Sequence, residues 1–118
     1  MEEPSARNVL ESERMSALDR VQTLKTELAL LAGDSNDANG DDEHDPEGST
    51  LAFERARVAG LLADAETNLK QLDSALTKLT TGNYGMCEGC RGAIPRDRLE
   101  ALPATRRCID CAATLRRG

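Results

Sequence analysis

Apolar residues recur every seven positions in two long stretches, and this repeat restricts most of the chain to packed helices. In the later stretch, spacings of four and three alternate through Val58, Leu62, Ala65, Leu69, Leu72, Leu76 and Leu79. The earlier stretch follows the same rule through Leu10, Ala17, Val21, Leu24, Leu28 and Leu31. Such a repeat puts one apolar stripe on a helix. We therefore predict helices over about residues 5–32 and 50–80.

Neither predicted helix can bury its stripe alone, because isolated helices are marginal in water. The chain has one Phe, one Tyr and no Trp, so a thick core would lack its usual aromatic residues. An antiparallel coiled-coil hairpin within one chain, which leaves the protein a monomer, covers both stripes. Phe53 is expected to pack in this hairpin. A coiled coil between chains is the alternative.

The segment between the helices, residues 33–49, is strongly acidic. It has no Lys or Arg, and its acidic residues are Asp34, Asp37, Asp41, Asp42, Glu43, Asp45 and Glu47. This segment is predicted to form the tip of the hairpin, which a helix of some 30 residues would hold roughly 45 Å from the other end. A charge run of this kind is also typical of a solvated loop without a specific role.

The cysteine spacing predicts a metal site. Cys87 and Cys90 form one C-x2-C pair, 17 residues intervene, and Cys108 and Cys111 form another, which lies within the spacing of four-cysteine zinc sites. Each pair bends the chain so that two sulfurs reach one ion, and two pairs complete a tetrahedron. We predict one structural zinc ion. A redox dithiol is the alternative, but the strand and helix pattern of a thioredoxin unit is missing.

The chain shows no membrane or export signal. No run of 18 apolar residues occurs, and the N-terminus is acidic without an apolar stretch behind it. A cytoplasmic location without a membrane partner is therefore expected. Paired cysteines in that reducing compartment are more often metal ligands or redox centres than structural disulfides.

Charge is distributed unevenly and disfavours direct DNA binding. Residues 1–80 carry 8 basic against 17 acidic side chains, and residues 81–118 carry 7 against 4. Four thiolates on one zinc ion would add −2 to the second segment, which leaves it only mildly basic.

The domain division predicted from these patterns is a hairpin over 1–81 and a zinc finger with a short C-terminal helix over 82–118. No catalytic site is recognisable, so no enzymatic activity is expected.

The cysteine region resembles a known family. The motifs that carry the resemblance are Gly82-Asn83-Tyr84-Gly85-Met86-Cys87-Glu88-Gly89-Cys90, Ile94-Pro95, Arg98-Leu99-Glu100-Ala101, Pro103 and Cys108-Ile109-Asp110-Cys111. Together they resemble the C4 zinc finger of the DksA/TraR family over about residues 82–112. The helical hairpin before them agrees with that family in type and order.

The resemblance implies a bacterial transcription regulator. Members of the family bind RNA polymerase, insert their coiled coil into its secondary channel and often act with guanosine tetraphosphate. By this resemblance, Asp41, Asp42, Asp45 and Glu47 are the tip residues that modulate the polymerase. The family's tip motif is D-x-x-D-x-A, and only Asp45 of residues 45–50 matches it. A structural or adaptor coiled-coil protein and a DNA-binding zinc-finger protein are the alternatives.

Overall fold

Four helices form the part of the protein that the structure describes. The structure, a computed structural model, describes residues 3–37 and 46–117, with side chains for 5–33 and 50–115. The helices are α1 (Glu3–Asp37), α2 (Pro46–Thr81), α3 (Arg96–Ala101) and α4 (Ile109–Arg117). Within these residues no strand forms, although Met86 and Ala93 make one isolated antiparallel bridge. The mainly helical fold predicted from the sequence, with its short C-terminal helix, is confirmed.

Both long helices extend beyond the predicted bounds. Helix α1 continues through Gly33 to Asp37, because a single glycine costs a helix only about 1 kcal/mol and is tolerated. Helix α2 begins at Pro46, four residues before the predicted start. Proline suits the first helical turn, since its φ is already helical and its missing N–H would have no partner there.

The seven-residue repeat forms the buried stripe on both long helices. On α2 one line is buried at Val58, Ala65, Leu72 and Leu79, and the intervening Leu62, Leu69 and Leu76 are half-buried. On α1 the buried positions are Ala6, Leu10, Ala17, Val21 and Leu24. The predicted stripe is therefore confirmed, and Ala6 and Ala75 extend it. None of the helices described here is long and apolar enough to cross a membrane.

The chain divides into two compact units. One contains residues 1–15 and 69–118, and the other contains residues 16–68. In the first unit the Arg14 guanidinium forms an ion pair with the Asp73 carboxylate. In the second unit Glu27 acts electrostatically on Arg57. The residue number falls along α2 as it rises along α1, as in the predicted antiparallel hairpin. The predicted boundary between residues 1–81 and 82–118 stays a prediction.

The expectation that Phe53 packs inside the hairpin is wrong. Its side chain is 78% exposed. Phe53 lies five residues before Val58, and a helix of 3.6 residues per turn rotates it about 140° away from the buried line. The single phenylalanine of the chain is therefore presented to solvent on α2.

Candidate metal centre

The end of α2 positions the first cysteine pair. The helix stops at Thr81, and Gly82 follows with φ +83°, a left-handed conformation that glycine adopts without strain. The backbone N–H of Asn83 then donates to the carbonyl of Lys78 at 2.8 Å, which closes the helix end. The chain therefore leaves α2 in a fixed direction, six residues before Cys87.

The four cysteines meet at one point. Their sulfur atoms all lie within 4.8 Å of one another. Zinc–sulfur bonds of about 2.3 Å in a regular tetrahedron place the sulfurs about 3.8 Å apart, so only small movements would bring all four onto one ion. Cys87 is buried, Cys108 and Cys111 are half-buried, and Cys90 is exposed. The spacing in the sequence correctly predicts which thiols come together.

Backbone hydrogen bonds shape the turn around the first pair. The N–H of Arg91 donates to the carbonyl of Cys87 at 2.9 Å, and the N–H of Cys87 donates to the carbonyl of Gly92 at 2.8 Å. Arg91 has a φ of 66°, the only positive value at a non-glycine residue among those described. This tight turn directs the thiols of Cys87 and Cys90 to the same side of the chain.

Backbone N–H groups donate hydrogen bonds to the sulfur of Cys87. It accepts hydrogen bonds from the N–H of Gly89 at 3.3 Å and the N–H of Cys108 at 3.4 Å. Backbone N–H donors, led by that of Cys90, lower the pKa of the Cys87 thiol to about 6. Side-chain hydrogen bonds, first to Cys87 and then to Cys108, raise the pKa of Cys111 to about 12. Four such close thiols ionise together only around a cation.

Gly89 leaves room for the opposite cysteine. A Cβ at this position would lie 2.9 Å from the sulfur of Cys111 and 3.1 Å from its Cβ. The first turn and the start of α4 thus approach each other with no space for a side chain. Four thiols at this separation, one of which accepts two backbone N–H hydrogen bonds, are the donor set that zinc prefers. The cluster therefore fits one zinc ion.

A small apolar cluster covers the cysteines on one side. Cys87 packs with buried Ile94 and Leu99, and Tyr84 lies against them. The Tyr84 hydroxyl donates to the carbonyl of Pro103 at 2.9 Å, and burial raises the pKa of this tyrosine. Three buried side chains are too few to fold about 30 residues, so metal binding must supply much of the stability.

Glu88, between the first two cysteines, is a residue that the sequence patterns missed. Its carboxylate lies 2.5 Å from Lys78 Nζ, 3.7 Å from Arg106 Nε and 3.9 Å from an Arg107 guanidinium nitrogen. A hydrogen bond from Lys78 is the main reason why the pKa of Glu88 is below its usual value. Lys78 and the pair Arg106 and Arg107 come from two separate stretches of sequence, so no local pattern could reveal the network.

Most of the predicted tip residues lie outside the described part of the chain. Asp41, Asp42 and Asp45 lie outside the described residues. Glu47 is part of α2, but its side chain lies outside the described side chains. Their proposed role as a group therefore stays a prediction.

Comparison with known families identifies the finger. The family model of the prokaryotic DksA/TraR C4-type zinc finger matches residues 82–117. Residues 82–117 therefore form a finger of the DksA/TraR type. The matched segment contains all four clustered cysteines, so the zinc site of this DksA/TraR finger and the geometric cluster are the same feature.

Individual proteins with similar sequences agree with this assignment of the finger. General stress protein 16O of Bacillus subtilis is 33% identical over 76 residues, which cover 64% of this chain and 47% of that protein. The RNA polymerase-binding transcription factor DksA of Haemophilus influenzae is 42% identical over 43 residues, 36% of this chain and 30% of that protein. The chain spans a third to a half of the length of the first curated relatives that it matches, 34% and 47%.

A solved structure has the same fold. Transcription factor DksA2 from Pseudomonas aeruginosa superposes with a TM-score of 0.77, covering 98% of this chain and 83% of that one. The two sequences are 24% identical, so the likeness shows the fold alone. Because the superposition covers 98% of this chain, the similarity in fold extends beyond the finger to the long helices.

Proposed function

We propose that this protein is a zinc-containing transcription regulator that binds bacterial RNA polymerase. The observation that carries the proposal is the cluster of four cysteines within a segment that matches the DksA/TraR finger. One similar protein, 42% identical over 43 residues, is named as an RNA polymerase-binding transcription factor. The proposed ligands of the zinc ion are Cys87, Cys90, Cys108 and Cys111.

The zinc ion has a structural role in this proposal. Four sulfur ligands fill a tetrahedral shell, so no position is open for a water molecule or a substrate. The metal therefore folds the finger and carries out no chemistry, and the protein acts by binding and not as an enzyme. Activity would come from stabilising one state of the polymerase over another.

The hairpin supplies the acting end of the molecule. Residues 1–81 would enter the secondary channel of the polymerase, and the finger at 82–118 would remain at the outer surface. The proposed acting residues are Asp41, Asp42, Asp45 and Glu47, whose carboxylates could perturb the Mg²⁺-dependent centre or the elements around it. Guanosine tetraphosphate is a proposed co-effector at the polymerase interface. The regulator would act as a monomer in the cytoplasm.

Transcription with purified bacterial RNA polymerase tests the proposal. Zinc-loaded wild type is compared with Asp45→Ala, and binding to polymerase is measured in parallel. We expect the wild type to bind and to change transcript output, and Asp45→Ala to bind but to lose that change. Asp64→Ala is the matched control, because Asp64 is an exposed acidic residue on α2 away from the tip; its output should equal that of the wild type.

Three results would contradict all or part of the proposal. Wild-type protein that binds polymerase no better than an unrelated acidic protein would indicate a structural or adaptor coiled coil. Affinity for DNA that falls steeply with salt would instead indicate a DNA-binding finger. If the wild type binds polymerase without changing transcript output, the protein occupies the channel passively. That result would reject the proposed modulating role of the tip.

A further inference from the structure

The four cysteines of the metal centre are enclosed to different degrees. Cys87 is buried, Cys108 and Cys111 are half-buried, and Cys90 is exposed. The apolar cluster accounts for part of this difference, because Cys108 and Cys111 pack against the cluster that contains Cys87, whereas Cys90 does not belong to it. Protein therefore covers three of the sulfur ligands, and the fourth, Cys90, is the one that reagents in solution reach most easily.

Backbone hydrogen bonds add to the asymmetry. The N–H groups of Gly89 and Cys108 donate to the sulfur of Cys87 at 3.3 and 3.4 Å. Among the described residues, no backbone N–H donates to the sulfur of Cys90 in this way. A donated hydrogen bond stabilises the negative charge of a metal-bound thiolate and fixes its position. Cys87 is therefore held at the metal by more than its zinc bond, and Cys90 is not.

The backbone directly after Cys90 is strained. Arg91 has a φ of 66°, the only left-handed value at a non-glycine residue among those described. A side chain in this region brings Cβ close to the following carbonyl oxygen, which costs free energy. Departure of Cys90 from the metal would let Arg91 leave this conformation. The other three cysteines have no strained neighbour of this kind within the described residues.

We propose that Cys90 is the exchangeable ligand of the zinc site. It is the first of the four sulfurs to leave the metal, and it is the thiolate that soft electrophiles attack first, because access controls the reactivity of a thiolate. Departure of Cys90 leaves zinc on three sulfurs and opens one coordination position to water or to a competing chelator. The finger therefore loses its metal, and with it its fold, from the side of Cys90.

N-Ethylmaleimide is a suitable probe, because its reaction with a thiolate needs no oxidant. The electron pair of the Cys90 sulfur forms a bond to a ring carbon of the maleimide, and the zinc–sulfur bond breaks. The enolate that results takes a proton from water. The thioether so formed is a much weaker zinc ligand than the thiolate, so the step is expected to release the metal.

Limited labelling of the zinc-loaded full-length protein tests the proposal. Less than one equivalent of N-ethylmaleimide is added, the remaining thiols are capped with iodoacetamide after unfolding, and tandem mass spectrometry locates the adduct. We expect Cys90 to carry it in more than about half of the singly labelled chains, whereas four equivalent thiols would each take about a quarter. A chromophoric chelator present during labelling should register zinc release in step with the Cys90 adduct.

Gly92→Ala tests the role of access without touching a ligand. A Cβ at Gly92 would lie 3.4 Å from the sulfur of Cys90, an ordinary contact that covers part of the sulfur without a clash. We expect this variant to fold and to react at Cys90 about twofold more slowly or less readily still. Gly60→Ala is the matched control, because a Cβ there meets nothing within 4 Å; its labelling rate should equal that of the wild type.

Several results would overturn the inference. The adduct could be spread evenly over the four cysteines or lie first on Cys87, Cys108 or Cys111. A labelling rate that does not depend on reagent concentration would mean that the finger must unfold before any thiol reacts. The same preference for Cys90 after removal of zinc would assign the preference to its sequence neighbours and not to the folded site.

Discussion

Lys78 Nζ lies 2.5 Å from Glu88 Oε2, so a cation in the last turn of α2 is paired with the carboxylate between Cys87 and Cys90. The same carboxylate faces Arg106 and Arg107, just before the second cysteine pair. One side chain thus links the helix end to both halves of the metal site. The Glu88 side chain is 35% exposed, so water screens each of these pairs.

Replacement of Glu88 tests this link. Glu88→Gln removes the charge and nearly preserves the shape, and we expect the free energy of unfolding of the zinc-loaded protein to fall by about 1 kcal/mol, the upper end for a screened network. Urea denaturation followed by circular dichroism measures the change. Glu100→Gln is the control, because Glu100 pairs with Arg96 at a more exposed site; it should have a smaller effect. Equal effects would contradict a special role of Glu88.

Removal of the zinc ion should unfold the finger and not merely loosen it. The apolar cluster around Cys87 contains only two other buried side chains, whereas metal binding supplies on the order of 10 kcal/mol in zinc-finger peptides. We expect chelated wild type and Cys87→Ser to lose protection of the 85–111 amides from hydrogen exchange. Added zinc should restore protection in the chelated wild type but not in Cys87→Ser. Full protection without metal would contradict the prediction.

Gly89 should be essential for tight metal binding. A methyl group at this position would lie 2.9 Å from the sulfur of Cys111, so either the turn or the start of α4 must move away from the metal. We expect Gly89→Ala to weaken zinc binding by at least about tenfold, the size of effect seen when residues supporting metal ligands are changed. Competition with a chromophoric chelator measures the affinity. An unchanged affinity would mean that the two segments can separate without disturbing the four sulfurs.

The sequence predicts the repetitive features of the molecule well. A seven-residue repeat identifies the buried face whatever the rest of the structure, so Leu10, Val58 and Leu72 are correctly predicted as buried. The cysteine spacing is equally informative, because one ion fixes four residues at a small distance from each other. Both predictions depend on local geometry that is the same in every protein with the pattern.

Features that depend on long-range contacts are not predictable in this way. The network of Glu88 joins residues 10 and about 20 positions apart, and no periodicity marks them. Exposure of Phe53 was missed for a related reason, since the residue type favours burial but its position on the helix does not. Extension of α1 past Gly33 shows that helical neighbours can outweigh one unfavourable residue.

Gly60 offers a test of whether α2 is an ordinary continuous helix. It lies inside α2, and a Cβ added there would meet nothing within 4 Å. Because glycine lacks a side chain that restricts the unfolded chain, Gly60→Ala should raise the free energy of unfolding by about 0.5–1 kcal/mol. Ala63→Gly, at an exposed position one turn later, is the reverse change and should lower the free energy of unfolding by a similar amount.

Urea denaturation measures the stability of both variants. Gly60→Ala should leave zinc affinity unchanged, so this variant is also the control for Gly89→Ala. A loss of stability in Gly60→Ala would show that the backbone near residue 60 needs the freedom of glycine and that α2 bends there.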